Sequence, residues 1–309
     1  MTTLTLTPAG PFSLDSSIRF LGGFTPASYG PAADQVLRLA FPADDSVSVI
    51  GCALRQEEEE TADGKPGTVS AEITVRTDDG RKPPDALGQI SRILSLDIDG
   101  TGFPALADND PIVAGLQADY PGLRPVCFPS PYEAAAWTII GNRIRTSQAA
   151  TVKARLAQQH GHALDVAGRR LNAFPAPAVL RSLDHIPGLT GIKIQRLHAI
   201  AEAALDGYLD ADELRAQPAE HALAALRELP GIGPFSAELI LIRGAGHPDV
   251  FPTAEPRVHR AMADAYQLDT AIADNPRRLA RIADAWRPYR SWIALLLRAR
   301  AQDQPPAAR

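Results

Sequence analysis

The sequence predicts an α+β protein: an N-terminal antiparallel β-sheet domain with a helix, followed by an all-α region of two subdomains. Three observations carry this. Val69, Ala71, Ile73 and Val75 alternate strictly with Ser70, Glu72, Thr74 and Arg76, the two-residue period of a strand with one buried face. Past Asp108 the alternation stops and apolar residues recur at helical spacing. The chain has 309 residues, about twice the usual domain length, so more than one packed unit is needed. The expected division is residues 1–107, 108–250 and 251–309, the last packing with 108–130.

Taken in order, residues 17 to 77 are strand-like, with Leu37, Leu39 and Phe41 repeating the alternation. The acidic run at 57–60, with Asp63-Gly64-Lys65-Pro66-Gly67, reads as a solvated hairpin loop between strands at 46–55 and 68–77. Leu87, Ile90, Ile93 and Leu94 then share one helical face, which suits a helix backing the sheet. A Pro- and Gly-rich stretch at 120–131 leads into helices over 132–140 and 147–160. Ile186-Pro187-Gly188-Leu189-Thr190-Gly191 is a turn opening a helix with Ile194, Leu197, Ile200 and Ala201 on one face. Helices over 219–229 and 235–243 flank a second Pro-Gly turn. Helices over 258–266, 276–285 and 291–300 complete the chain, with Pro288 breaking the last two and a frayed end at 304–309.

Composition narrows the function classes. The longest clean apolar run, 292–297, is far short of the roughly 20 residues of a membrane span. The start of the chain has no basic n-region, so a cytoplasmic protein with no membrane partner is expected. Cys52 and Cys127 form no CxxC pair, which excludes a disulfide framework and a cysteine-ligated zinc or iron-sulfur site; both are expected to be reduced thiols. The net charge of −5 is uneven: residues 1–128 carry 9 Lys and Arg against 18 Asp and Glu, residues 129–309 carry 22 against 18. Of the 31 basic residues 27 are Arg, whose planar fork suits phosphate.

That basic half contains Leu229-Pro230-Gly231-Ile232-Gly233-Pro234-Phe235-Ser236-Ala237, an apolar helix running through a Pro-Gly-x-Gly turn into a second helix. Glycines let the backbone take positive φ or approach another molecule, and the second helix offers unpaired N–H groups and a positive dipole end to an anion. Pro248-Asp249-Val250-Phe251-Pro252-Thr253-Ala254-Glu255 follows, ending on a carboxylate. Such a turn is more often a plain helix connection than a functional one, and a glutamate before Pro256 also reads as a helix cap. His247 and His259 flank the acid, but with no third ligand in view they read as surface or packing residues.

The whole pattern resembles the helix-hairpin-helix DNA glycosylase superfamily and, within it, the DNA-3-methyladenine glycosylase II family. Gly122-Leu-Arg-Pro, Phe128-Pro-Ser-Pro-Tyr-Glu133, Gly191-Ile-Lys193 with Leu197, and Trp286-Arg-Pro-Tyr-Arg-Ser291 match it in order, and the resemblance runs from about residue 11 to 300. It implies an all-α helix-hairpin-helix region, a nucleoid-associated monofunctional enzyme and damaged double-stranded DNA as partner, with no obligate protein partner. The implied reaction flips an alkylated purine out of the duplex and hydrolyses its N-glycosidic bond. Pro230, Gly231, Ile232, Gly233, Phe235, Ser236 and Ala237 would then hold the DNA backbone. No cofactor is required, although carbonyls of Leu229, Gly231 and Gly233 could hold a structural Na+ or K+.

The implied catalytic acid is Glu255, six residues after Asp249, where the family has aspartate. The extra methylene moves the carboxylate by about 1.5 Å, and shifts of about 1 Å matter to catalytic geometry. Gly141-Asn142-Arg143 stands where the family places the wedge that fills the gap left by the flipped base. Phe20, Leu239, Pro256 and Arg298 fall at pocket positions, Arg298 where the family has a tryptophan beside the acid. A salt bridge from Arg298 would partly occupy Glu255, and its charge would repel a cationic base; alternatively Arg298 snorkels to solvent. Phe235 replaces the lysine of the superfamily's lyases, so no Schiff base is expected. The second reading is a catalytically weak or inactive DNA-binding protein, a lesion sensor that kept the scaffold.

Overall fold

A computed structural model describes residues 2–23, 34–57, 67–77 and 82–303. The acidic loop expected at 57–67 lies outside the described residues except at its ends, and the terminus at 304–309 lies wholly outside them. The chain opens with β1 (Thr2–Leu6), α1 (Leu14–Gly23), β2 (Leu37–Pro42), β3 (Val49–Gln56), β4 (Val69–Arg76) and α2 (Ala86–Ile93). The four strands form an antiparallel sheet in the order β1-β4-β3-β2.

The register pairs Leu39 with Cys52 and Cys52 with Ile73, so alternate apolar residues share one face. That face packs on Leu14 and Leu21 of α1 and on Ile90, Ile93 and Leu94. Each large apolar side chain so buried contributes about 1.5–3 kcal/mol. α2 starts at Asp85, whose carboxylate accepts the Gly88 N–H at 2.9 Å. The strand-like reading of residues 17–77 is corrected at its start: residues 14–23 form a helix, because Leu14, Ile18 and Leu21 recur at spacings of four and three.

After a 3-10 turn (Pro104–Asp108) come α3 (Pro111–Asp119), α4 (Pro131–Gly141) and α5 (Thr146–His160). Next are β5 (Ala163–Val166), β6 (Arg169–Asn172), α6 (Pro177–Arg181), α7 (Gly191–Leu205), α8 (Ala211–Ala216), α9 (Ala219–Arg227) and α10 (Pro234–Leu239). α10 runs into a π-helical turn (Ile240–Gly244) and is followed by α11 (Pro256–Tyr266), α12 (Thr270–Ala273), α13 (Pro276–Ala283) and α14 (Arg290–Asp303). Among the described residues no helix is long and apolar enough to cross a membrane.

A second core joins α4, α7, α9 and α10 through Ile139, Leu197, Ile200, Leu226, Ala237 and Ile240. A third packs Val113 and Leu116 of α3 against Met262, Leu279, Trp286, Ile293 and Leu297, so chain before residue 120 shares a core with the last helices. The all-helical reading beyond Asp108 misses the β5–β6 hairpin. Its Leu164 and Val166 cover the outer face of the sheet at Val49 and Ala53. This explains why β3 is apolar on both faces rather than alternating. Each strand is four residues long, too short for its period to stand out.

Arg124 ties these cores together. It is 1% exposed and donates to the carbonyls of Pro11 (2.9 Å), Ser95 (3.0 Å), Ile98 (3.1 Å) and Ala9. Its guanidinium also sits 5.1 Å from the Trp292 ring of α14.

Candidate functional site

A cleft of about 1230 Å³ draws its walls from all three cores. Phe20 of α1, Asn142 after α4, Gly231, Gly233, Phe235, Ser236 and Leu239 of the α9–α10 hairpin, Glu255, and Arg298 of α14 all line it. Those residues are far apart in sequence, and the fold brings them to one surface. Arg143, Pro230, Ile232, Ala237 and Pro256 are not among its lining residues.

The hairpin turn depends on Gly231. Its φ is +89°, and a Cβ there would come within 2.6 Å of Arg196 Cδ and 3.0 Å of Ile139 Cδ1. Gly233 differs: it is extended, at φ −95° and ψ −177°, and a Cβ there would meet nothing within 4 Å beyond its chain neighbours. What glycine leaves there is open access to the start of α10. Among the described residues, the N–H groups of Gly233, Phe235 and Ser236 have no backbone acceptor, and Gly233 caps the helix without a side chain. Phe235 is 45% exposed at the cleft. Ile232 and Ala237, expected to hold DNA, are instead buried in the second core, their N–H groups donated to the carbonyls of Leu229 (3.0 Å) and Gly233 (2.9 Å).

Glu255 caps α11: its Oε1 accepts the Arg257 N–H at 3.2 Å while Pro256 occupies the first helical position. The loop before it is pinned from every side. Glu238 of α10, 6% exposed, accepts Thr253 N–H at 2.9 Å and the Thr253 hydroxyl at 2.6 Å on one oxygen, and Ala254 N–H at 2.9 Å on the other. Ser291 Oγ accepts Val250 N–H at 3.0 Å and donates to its carbonyl at 2.9 Å. Arg290 Nε donates to Asp249 at 2.7 Å, and Arg287 adds a bond at 3.1 Å. His259 lies 2.8 Å from the Pro252 carbonyl, which can only accept, so Nε2 carries the proton; its ring stacks on Phe251. His247 Nδ1 accepts Asp249 N–H at 3.1 Å, and burial lowers its pKa.

Arg243 and Arg298 form a cationic wall. Arg243 is buried on the π turn, donates to the Val126 carbonyl at 3.1 Å and lies 5.1 Å from the Phe20 ring. Burial lowers its pKa to about 10, and the charge of Arg298 adds to the effect. Arg298 is half-buried; burial and then Arg257 lower its pKa, while Glu255 raises it. The salt bridge considered from sequence is not formed: Glu255 acts on Arg298 through space. At the other end of the cleft, Asn142 caps α4 and Arg143 is exposed at φ +57°, a left-handed conformation that costs a non-glycine residue about 1 kcal/mol or more. Lys193 supports this corner by donating to the Ile140 carbonyl at 2.8 Å.

Sequence reasoning passed over Glu238, Arg243 and Trp137 as site residues. The first two had a signal: they are the only charged residues in the otherwise apolar stretch 234–244, and charges on such a helix need partners. Trp137 lines the cleft from α4 with nothing in its local pattern to mark it. Burial pushes the Cys52 thiol up to about 12 and raises Cys127 as well, which suits unreactive thiols. Among the described residues no cluster of His, Cys, Asp and Glu could hold a metal ion.

No protein-family model matches the chain. It is 31% identical over 186 residues to DNA-3-methyladenine glycosylase 2 of Escherichia coli, covering 58% of this chain and 61% of that protein. It is 28% identical over 219 residues to the probable bifunctional transcriptional activator/DNA repair enzyme AlkA of Mycobacterium tuberculosis, covering 70% of this chain and 42% of that one. The chain thus spans about half the length of these curated relatives. Its fold is that of the 3-methyladenine DNA-glycosylase from Archaeoglobus fulgidus, with a TM-score of 0.73 at 20% identity over 99% of this chain and 100% of the other. The motif order, the hairpin beside an acid-bearing cleft and these likenesses agree: the chain is similar in sequence to DNA-3-methyladenine glycosylases and shares the fold of a 3-methyladenine DNA-glycosylase.

Proposed function

We propose that the protein is a monofunctional DNA glycosylase of base excision repair that flips alkylated purines out of duplex DNA and excises them by hydrolysis. The observation that carries this reading is that Glu255 opens onto the same cleft as the hairpin turn and the apolar side chains of Phe20 and Leu239. The free amides at Gly233, Phe235 and Ser236 and the dipole of α10 with its π extension suit a backbone phosphate. A base flipped from that strand enters between Phe20 and Leu239, with Asn142 at the vacated stack and Arg143 beside it.

With C1′ near Glu255, the C1′–N bond breaks and its electron pair leaves with the base. The carboxylate stabilises the positive sugar and takes a proton from the attacking water, whose oxygen bonds to C1′. An alkylated base is already cationic and leaves without a strong general acid. Phe235 occupies the lyase-lysine position, and among the described residues no lysine lines the cleft, which supports hydrolysis over Schiff-base chemistry. The carbonyls of Leu229, Gly231 and Gly233 suit a Na+ or K+: those of Leu229 and Gly233 accept one backbone bond each and keep a lone pair. Such an ion would stiffen the turn.

The engagement of Glu255 as a helix cap favours a second reading, a lesion sensor that binds without cutting. Incubation with duplexes carrying 7-methylguanine, 3-methyladenine or ethenoadenine separates the two. Base release that falls about 100-fold or more in Glu255→Gln supports the enzyme. Absence of release from every lesion, with tight binding to an abasic analogue, supports the sensor. Binding in either case weakens steeply with salt.

A further inference from the structure

Five exposed arginines lie on the two helices that lead away from the cleft. Arg257 lines the cleft at the start of α11, and Arg260 stands one turn further along that helix. α13 packs on α11, its Leu279 and Ala283 sharing a core with Val258 and Met262, and it turns Arg277, Arg278 and Arg281 to solvent. Arg281 is four residues from Arg277 and three from Arg278, so the three guanidiniums crowd one helical face, where like charges repel. None of the five forms an ion pair with a described residue. Arg260 and Arg278 make only long bonds, to the carbonyls of Pro256 at 3.4 Å and Ala271 at 3.5 Å. The neighbouring acids are spent elsewhere: Asp249 and Asp284 hold Arg287 and Arg290, and Asp269 caps α12 by accepting the Ile272 N–H at 3.0 Å. With Asp264 and Asp274 counted, residues 256–283 still carry five Arg against three Asp, in a chain of net charge −5.

We propose that α13, with Arg257 and Arg260 of α11, is a second duplex-binding surface that holds phosphates of the DNA flanking the cleft; this rests on the DNA glycosylase reading above. The α9–α10 hairpin belongs to the second core and α11 and α13 to the third, so the two surfaces stand on different walls of the cleft. A guanidinium fork takes two phosphate oxygens at once, and the repulsion among these arginines is relieved by a polyanion laid across them. α11 has 11 residues and is about 16 Å long, so the surface reaches about five base pairs past the flipped nucleotide. The duplex is then gripped on both sides of the pair that opens.

The test is equilibrium binding of the full chain, across a salt series, to a duplex with a central tetrahydrofuran abasic analogue, which the enzyme cannot cleave. Arg277→Gln, Arg278→Gln and Arg281→Gln together lower the slope of log K against log salt by about 2–3, at ~0.9 per phosphate, and lysine at the same three positions restores it. Cutting the duplex to fewer than about five base pairs on one side of the abasic site brings the wild type to the slope of the glutamine variant. A control with the same charge change, Arg76→Gln, Arg169→Gln and Arg170→Gln on exposed strand positions of β4 and β6, shifts the slope by less than one phosphate. Equal slopes for the wild type and the α13 variant, an equal fall in the control, or a wild-type slope indifferent to shortening on either side overturns the proposal. So does a salt-sensitive dimer that the α13 variant lacks, which assigns the arginines to the acidic half of a second copy. Base release separates this surface from the enzyme reading. Release from alkylated duplexes with no change of slope sinks the surface alone, and a changed slope without release from any lesion sinks the enzyme and leaves the surface standing.

Discussion

Glu238 and Glu255 show how two carboxylates near one cleft take different work. Glu238 satisfies three donors of the loop that ends in Glu255, so its role is to position. Glu238→Gln turns an amide NH2 toward an N–H or hydroxyl donor that previously met a carboxylate oxygen. The expected cost is about 1–3 kcal/mol of stability, with a fall in single-turnover base release and little change in duplex affinity. Thermal melting beside the release assay checks it, and unchanged release in the folded variant would remove Glu238 from this role. The family resemblance points to Glu255 by count from Asp249, whereas nothing in it points to Glu238, whose importance lies in which backbone groups reach it across the fold.

At the scale of the element, the hairpin's two glycines have separate reasons to be there. Gly231 is required by positive φ and by Arg196 and Ile139 against its α-carbon, while Gly233 is unstrained. Gly231→Ala is expected to destabilise the protein by about 1–2 kcal/mol or more. Gly233→Ala is expected to stay within about 0.5 kcal/mol of the wild type in stability while weakening duplex binding. Denaturant melts and binding isotherms on the two single variants distinguish these effects. A stability loss at Gly233 equal to that at Gly231 would contradict the geometry. The turn was readable from Pro-Gly-x-Gly, but the different duties of its glycines depend on what packs behind each.

For the whole molecule, the cleft exists because three cores meet, and Arg124 holds their junction. Its four carbonyl partners come from the N-terminal segment and the loop after α2, and its stacking partner comes from α14. Arg124→Met leaves buried carbonyls without donors and is expected to cost about 3 kcal/mol or more, measured as a loss of denaturation midpoint; a shift under about 1 kcal/mol would show the junction is held otherwise. The sequence by itself determined the antiparallel sheet, the helical remainder, the hairpin and the position of an acid, since these rest on local periodicity, turn chemistry and fixed spacing. The β5–β6 hairpin escaped because the period of each four-residue strand runs over too few residues. Only the tertiary structure decided that Ile232 and Ala237 belong to the core, that Arg298 leaves Glu255 unbridged, and that Glu238 and Arg243 join the site. Those outcomes depend on contacts between residues far apart in the chain, where burial and the supply of hydrogen-bond partners, rather than any local pattern, set what each side chain does.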